Sequence, residues 1–146
     1  VQTDAQLGEG EGAQLGTAEL VSGNYFQVMR LTPQLGRLLG DHDNQAELAH
    51  PVAVVSDRYW RRFRAADPAI VGQTLQINGA TFEIVGVAPP GFGGTFAAHQ
   101  VDAWVPLMMQ GWVRPRGLSV ERRTWGWLRM IGRMREGVTF DRVRTE

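Results

Sequence analysis

The stretch LQINGATFEIVGVAPPGF, Leu75–Phe92, holds two alternating apolar runs joined by Asn78-Gly79. Both residues tolerate the positive φ that the central positions of a type I′ turn require, and that turn suits the twist of two antiparallel strands. The spacing predicts a hairpin with Ile77 opposite Ala80, Leu75 opposite Phe82 and Gln73 opposite Ile84. All but Gln73 are apolar, so this face turns to a core. Thr74, Gln76, Thr81 and Glu83 fall on the other, wet face, which becomes apolar only at Val85 and Val87. The expected shape is an element that projects from a body in which its base is rooted. Pro89, Pro90 and Gly91 end it.

Outward from the hairpin, PVAVVS (Pro51–Ser56) is a short β-branched run of the kind covered on both faces. Ser56 or Asp57 then caps a helix through DRYWRRFR, with Tyr59, Trp60 and Phe63 on one face and Arg58, Arg61, Arg62 and Arg64 around it. Strand, cap and helix make one βα unit. Asp67–Gly72 is a turn, with Pro68 preset at the start of a helical turn. Thr17–Gly23 reads as a short strand. Asn24 is placed as the N-cap of a helix whose Tyr25, Val28 and Met29 share a buried face. The following loop has apolar anchors at Leu35, Leu38 and Leu39. Residues 1–17, rich in Gly, Gln and Glu, read as a strand remnant or a flexible lead-in. Val101–Leu107 is a strand ending at Pro106, and Trp127–Met134 alternates like another. The last residues read as a turn and the start of a helix capped by Thr139. Strands outnumber the short helices, so the expected fold class is α+β.

The 146 residues suffice for one domain with a real core, with room for two small lobes. Cysteine is absent, which excludes a disulfide scaffold, thiolate metal sites and a thiol nucleophile. The net charge is zero, giving no bulk attraction to a polyanion. All fifteen basic residues are arginine, and nine of them fall in residues 111–146. Without interleaved stacking aromatics they read as a compositional preference, and no nucleic-acid partner is expected. No apolar run reaches the ~18–20 residues of a bilayer span, and no signal peptide is visible. The chain begins at Val1, consistent with a processed product or an excised piece.

The candidates for chemistry are few. Asp41-His42-Asp43 resembles part of a metal site but lacks further ligands at a recognisable spacing from His50 or His99, and reads as a solvated polar loop. Gly91–Thr95 resembles a phosphate loop without the lysine or the following helix, and reads as a turn between lobes. Ser22, Ser56 and Ser119 sit in no G-x-S-x-G elbow. Glu9 and Glu11 lie in the soft lead-in, where nothing holds a carboxylate pair at catalytic spacing. Of the tryptophans Trp60, Trp104, Trp112, Trp125 and Trp127, the last three adjoin loops. Packing between lobes is the expected role, and a binding or membrane-surface patch is the alternative. No catalytic, cofactor-binding or metal-binding residue is assigned, and no cofactor is expected.

Four stretches in order, LVSGNYFQVMRLTPQLGRLLGDHDN, PVAVVSDRYWRRFRAADPAIVGQTLQINGATFEIVGVAPPGFGG, VDAWVPLMM and WLRMIGRMREGVT, resemble the periplasmic core domain of MacB/FtsX-type ABC transporter permeases, the acidobacterial-type group in particular. The resemblance covers roughly residues 17–140 and implies a domain between the first two transmembrane helices of a permease, on the periplasmic face of the inner membrane. It implies a porter-like βα lobe, residues 17–66 plus a C-terminal strand at about 127–146, that includes Ser56 and the Tyr59–Phe63 helix. It also implies a β-rich lobe, residues 67–110, that includes the Asn78-Gly79 hairpin. The family's domain usually begins with a further strand and helix, so residues 1–146 are expected to be a partial core domain. The implied partners are a cognate ABC ATPase, the transmembrane helices of the same permease and a periplasmic or outer-membrane protein. The implied function is non-catalytic coupling of ATP-driven movement to export or docking. The rival is a periplasmic ligand- or protein-binding module with no mechanical role.

Overall fold

The computed structural model describes residues 1–96, 100–114 and 128–138. Its strands are β1 (Gln2–Leu7), β2 (Gln14–Val21), β3 (Leu35–Gly36), β4 (Val52–Val55), β5 (Thr74–Ile77), β6 (Ala80–Val87) and β7 (Ala103–Pro106). Three short helices are α1 (Tyr25–Val28), α2 (Asp57–Phe63) and α3 (Gln110–Val113). The class is α+β with a body dominated by sheet, as expected. Among the described residues all seven strands form one sheet in the order β3-β6-β4-β7-β2-β1-β5, and an added pairing joins β5 back to β6. β6, β4, β7, β2, β1 and β5 therefore make a closed ring, with β3 lying beside the far half of β6.

Alternation along every strand of the ring points one set of side chains inward. Ala5 and Leu7, Ala18 and Leu20, Ala53 and Val55, Leu75 and Ile77, Phe82 and Ile84, and Ala103 and Val105 all belong to one buried cluster. Small and large residues alternate, which lets side chains from facing staves fill a narrow barrel. Tyr59 and Trp60 of α2, Ile70, and Met109 and Val113 of the last helical turns complete this cluster. Each large buried side chain contributes about 1.5–3 kcal/mol by leaving water.

The hairpin has the expected register, with Ile77 opposite Ala80, Leu75 opposite Phe82, and φ of 51° at Asn78 and 83° at Gly79. It does not project. It is two staves of the barrel, and Asn78 bolts the closure. The Asn78 N–H donates to the Gln6 carbonyl at 2.9 Å, and its Oδ1 accepts from the Gln6 N–H at 2.8 Å. Its Nδ2 donates to the Val113 carbonyl at 2.7 Å. Asn78→Gly keeps the turn's dihedral freedom but deletes both side-chain bonds. It is expected to cost about 1–3 kcal/mol, read by urea unfolding.

One expectation about the hairpin fails at its base. Val85 does turn outward, but Val87 packs into the barrel. A β-bulge accounts for this, because Ala53 pairs with Ile84 and the next residue, Val54, pairs with Gly86. The extra residue resets the alternation. Residues 1–17 are also better defined than a lead-in, since β1 and β2 form a continuous antiparallel ladder from Gln2↔Glu19 to Leu7↔Gln14.

β4 lies between β6 and β7 and is covered on both faces, Ala53 and Val55 inside and Val54 outside. The Ser56 Oγ accepts from the Tyr59 N–H at 3.1 Å, so the cap on α2 forms as expected. Phe63 meets the Tyr59 ring with centroids 5.3 Å apart, but at 40% exposure it lies at the rim of that face rather than in the core. In α1 the buried pair is Tyr25 and Phe26. Val28 and Met29 are only partly covered, and Asn24 at the cap position makes no side-chain capping bond. Leu128–Met134 is exposed and not in strand, contrary to the alternation. Trp125, Trp127, His99, Ser119 and the helix start at Thr139 lie outside the described residues.

Candidate functional site

On the outer face of the barrel, α1 and the Gly91–Thr95 loop cover β2, β4 and β7. Phe92 stacks on Trp104 with ring centroids 5.3 Å apart, and Phe26 meets Trp104 edge-on at 5.7 Å. Tyr25 meets Phe26 edge-on at 5.1 Å. The glycine loop is thus a lid on a second apolar core with Val21, Val54, Val85 and Val101. Its glycines serve close packing. A Cβ on Gly93 would collide with the Gln100 side chain, and Gly94 has a φ of +108°.

Glu19 sits at the border of this core. It is on β2, faces outward beside Val21, and is 4% exposed. Its Oε2 accepts from the Trp104 indole N–H at 2.9 Å and from the Tyr25 hydroxyl at 3.4 Å. Burial, reinforced by the Glu19 charge, pushes the Tyr25 hydroxyl up to about 12. Next to Glu19 opens a cleft of about 740 Å³, lined by Val21, Tyr25, Val28 and Met29 on one side of the chain and by Leu107 and residues 128–131 from further along it. The Arg133 Nε donates to the Val28 carbonyl at 3.0 Å, and the Arg129 guanidinium lies 4.6 Å from the centre of the Phe96 ring. The sequence reading missed Glu19, because an acid between Ala18 and Leu20 looks like the wet side of a strand.

The sequence candidates fall elsewhere. Asp41-His42-Asp43 forms a 3-10 turn in which Asp43 is buried against Arg37, Oδ2 to Nη1 at 2.7 Å and Oδ1 to Nη2 at 2.8 Å. The Gly40 N–H also donates to Asp43 at 2.9 Å, and the exposed His42 lies 3.4 Å from it. This triplet anchors a loop. Burial opposes ionisation of Asp43, but Arg37 and the Gly40 N–H outweigh it and hold the carboxyl below the usual range. The folded value is lower than the unfolded one of ~3.9, so this contribution to stability is present above about pH 4 and is lost as pH falls toward the folded value. Arg37→Gln is expected to flatten the acid side of a plot of Tm against pH.

A second buried acid, Asp102, joins strands in the same manner. It accepts from the Thr17 N–H at 3.0 Å and from Arg58 at 2.6 Å. Ser56 is buried in its cap and Ser22 is exposed, bonded to Asn24. Glu9 is exposed. Trp60 donates to the Asp67 carbonyl at 2.8 Å, while Trp112 is 37% exposed with its ring edge-on to Phe82. No group of three His, Cys, Asp or Glu side chains with metal-binding geometry occurs among the described residues.

A search of curated proteins finds no relative by sequence. Residues 2–146 match the family model of the MacB-like periplasmic core domain. The chain belongs to that family. Among solved structures, the periplasmic region of MacB from Actinobacillus actinomycetemcomitans is similar to this MacB-like core domain, with a TM-score of 0.62 and 19% identity over 82% of this chain and 50% of that one. The extracellular domain of the noncanonic ABC-type transporter YknZ from Gram-positive bacteria gives 0.59 and 18%, over 76% of this chain and 54% of that one. At such identities the likeness is one of fold. The chain spans about half the length of these two solved domains. No described helix of this MacB-like core domain is long and apolar enough to cross a membrane.

Proposed function

We propose that this chain is a non-catalytic extracytoplasmic part of an ABC transporter permease, and that it couples ATP-driven movement of the transmembrane helices to export or to docking of a partner. Family membership over residues 2–146 is the observation that carries the reading. The coarser statement, an extracytoplasmic domain of an ABC-type permease, rests on it directly. Coupling is supported by the architecture. A closed barrel with side chains packed across its interior is stiff, and a stiff body passes on displacement that a loop would absorb. In this reading residues 1–146 are part of one periplasmic core domain, standing on the periplasmic face of the inner membrane. Its partners are the permease's own helices, the cognate ATPase and a protein of the periplasm or outer membrane. The expected division into lobes, 17–66 with about 127–146 and 67–110, is part of the proposal. The described lobes would share one sheet, since β4 and β6 are paired neighbours.

The test uses the full permease with its ATPase in a bilayer. Arg62 is exposed, and its described contact is with the ring of Phe63. A fluorophore at Arg62→Cys, paired with an acceptor lipid, reports the distance of this domain from the membrane. That distance is expected to change between the ATP-bound and nucleotide-free states. An unchanged distance during active ATP hydrolysis would overturn the coupling and leave the family assignment untouched.

A further inference from the structure

We propose that Asn78 is a site of spontaneous deamidation, and that closure of the barrel is what holds this reaction back. The chain has three asparagines, Asn24, Asn44 and Asn78, followed by Tyr25, Gln45 and Gly79. Deamidation begins when the main-chain nitrogen of the next residue attacks the asparagine Cγ. A side chain on that next residue hinders the approach, and glycine has none. The new N–Cγ bond closes a succinimide ring and the Cγ–Nδ2 bond breaks. The amide nitrogen leaves as ammonia, with the proton that the attacking N–H gives up. Water then opens the ring at either carbonyl and leaves aspartate or isoaspartate. Water is the one co-reactant, and Asn78 is exposed to it.

In the folded barrel the Asn78 amide is held at both ends. Its Oδ1 accepts from the Gln6 N–H at 2.8 Å, and its Nδ2 donates to the Val113 carbonyl at 2.7 Å. For Cγ to swing onto the Gly79 nitrogen, both bonds must be given up, so the reaction is coupled to opening of the seam between β1 and β5. That seam is short. Among the described residues the two strands pair at Leu7↔Ile77 alone. The main-chain bonds of that pairing run from the Gly8 N–H to the Gln76 carbonyl and from the Asn78 N–H to the Gln6 carbonyl, each at 2.9 Å. Either product loosens the seam. Aspartate has no N–H to offer Val113, and its second oxygen would face that carbonyl acceptor to acceptor. Isoaspartate adds a carbon to the main chain inside a two-residue turn, which disturbs the Ile77↔Ala80 register. The change is irreversible, because the ammonia is lost to solvent. It does not depend on the domain being a mechanical coupler.

The test incubates the full chain at mildly alkaline pH, folded and in urea, and follows each asparagine by peptide mapping with mass spectrometry and an isoaspartate assay. In urea, Asn78 is expected to convert at least about tenfold faster than Asn24 or Asn44. Folded, it should convert at least about tenfold more slowly than in urea, since its hydrogen bonds must open first. The deamidated protein carries one more negative charge and separates by anion exchange. Its urea midpoint should fall below that of the parent, as should the midpoint of Asn78→Asp, and a product already unfolded without urea meets the same expectation. In a folded product, hydrogen exchange should show lost protection at the Gln6 and Gly8 N–H groups, while the Ser56 N–H, bonded to the Asp102 carbonyl, keeps its own. Equal rates at the three asparagines in urea overturn the proposal. So do equal rates at Asn78 folded and in urea, or unchanged midpoints in the deamidated protein and in Asn78→Asp.

Discussion

Gly86→Ala is expected to lose about 3 kcal/mol or more of stability, enough to leave a domain of ordinary marginal stability poorly folded. Gly86 follows the bulge in β6, where the chain around Arg37 crosses directly above it. A Cβ there would fall within the van der Waals envelope of the Arg37 carbonyl oxygen, carbon and nitrogen. These are backbone atoms, so no rotamer change relieves the overlap. The bonds at stake include the Arg37 N–H to the Val85 carbonyl at 2.9 Å and the Gln34 N–H to the Val87 carbonyl at 2.9 Å. The variant should release β3 and its loop before the barrel itself opens, which hydrogen exchange at Gln34 and Arg37 would reveal as an early loss of protection. Gly12→Ala is the control, since its Cβ would meet nothing within 4 Å. Equal stability of the two variants by urea unfolding would contradict the crossing.

Trp104→Ala should cost about 3–5 kcal/mol. The side chain is fully buried, stacks on Phe92, meets Phe26 edge-on, and donates to Glu19. Truncation therefore opens a cavity and also strips the buried carboxylate of its shorter hydrogen bond. Trp104→Phe separates the two effects. It keeps most of the aromatic packing and removes the donor, and should cost about 1–3 kcal/mol. Since Glu19 then retains, among the described residues, only the 3.4 Å hydrogen bond from Tyr25, the loss in Trp104→Phe should shrink when Glu19 is also changed to Gln. A thermal unfolding cycle over the four proteins measures that coupling.

The parts of the fold legible in the sequence are those where local chemistry and burial agree. Asn78-Gly79 announces its turn because few residue pairs accept two positive φ values in succession. Pro51–Ser56 reads as a doubly covered strand because β4 has neighbours on both sides and apolar layers on both faces. The bulge at Val85 was invisible because the base of β6 is apolar throughout, so a one-residue shift leaves the pattern unchanged. The β1–β2 hairpin was hard to see because its inward positions include the small Ala5 and Ala18 and its turn region is rich in glycine. Asn78 gave away its turn but not its role in closure, since Gln6 and Val113 are distant in sequence. Glu19 was missed for the same reason, as its partner Trp104 lies 85 positions away. The opposite error occurred at Leu128–Met134, where alternation exists but no described strand pairs with it.

Ring closure restricts how other proteins can engage this body. An open sheet offers a row of unpaired N–H and C=O groups, to which a foreign segment can add itself as one more strand. Here β5 pairs along its length with β6 and at Ile77 with Leu7 of β1, and β3 lies along the rest of β6. β3 is only two residues long, with Pro33 just before it and Gly36 at a φ of +63°, a poor template for extension. Recognition at the described surface therefore favours side chains over backbone augmentation, and crowded copies have few long free edges through which to polymerise.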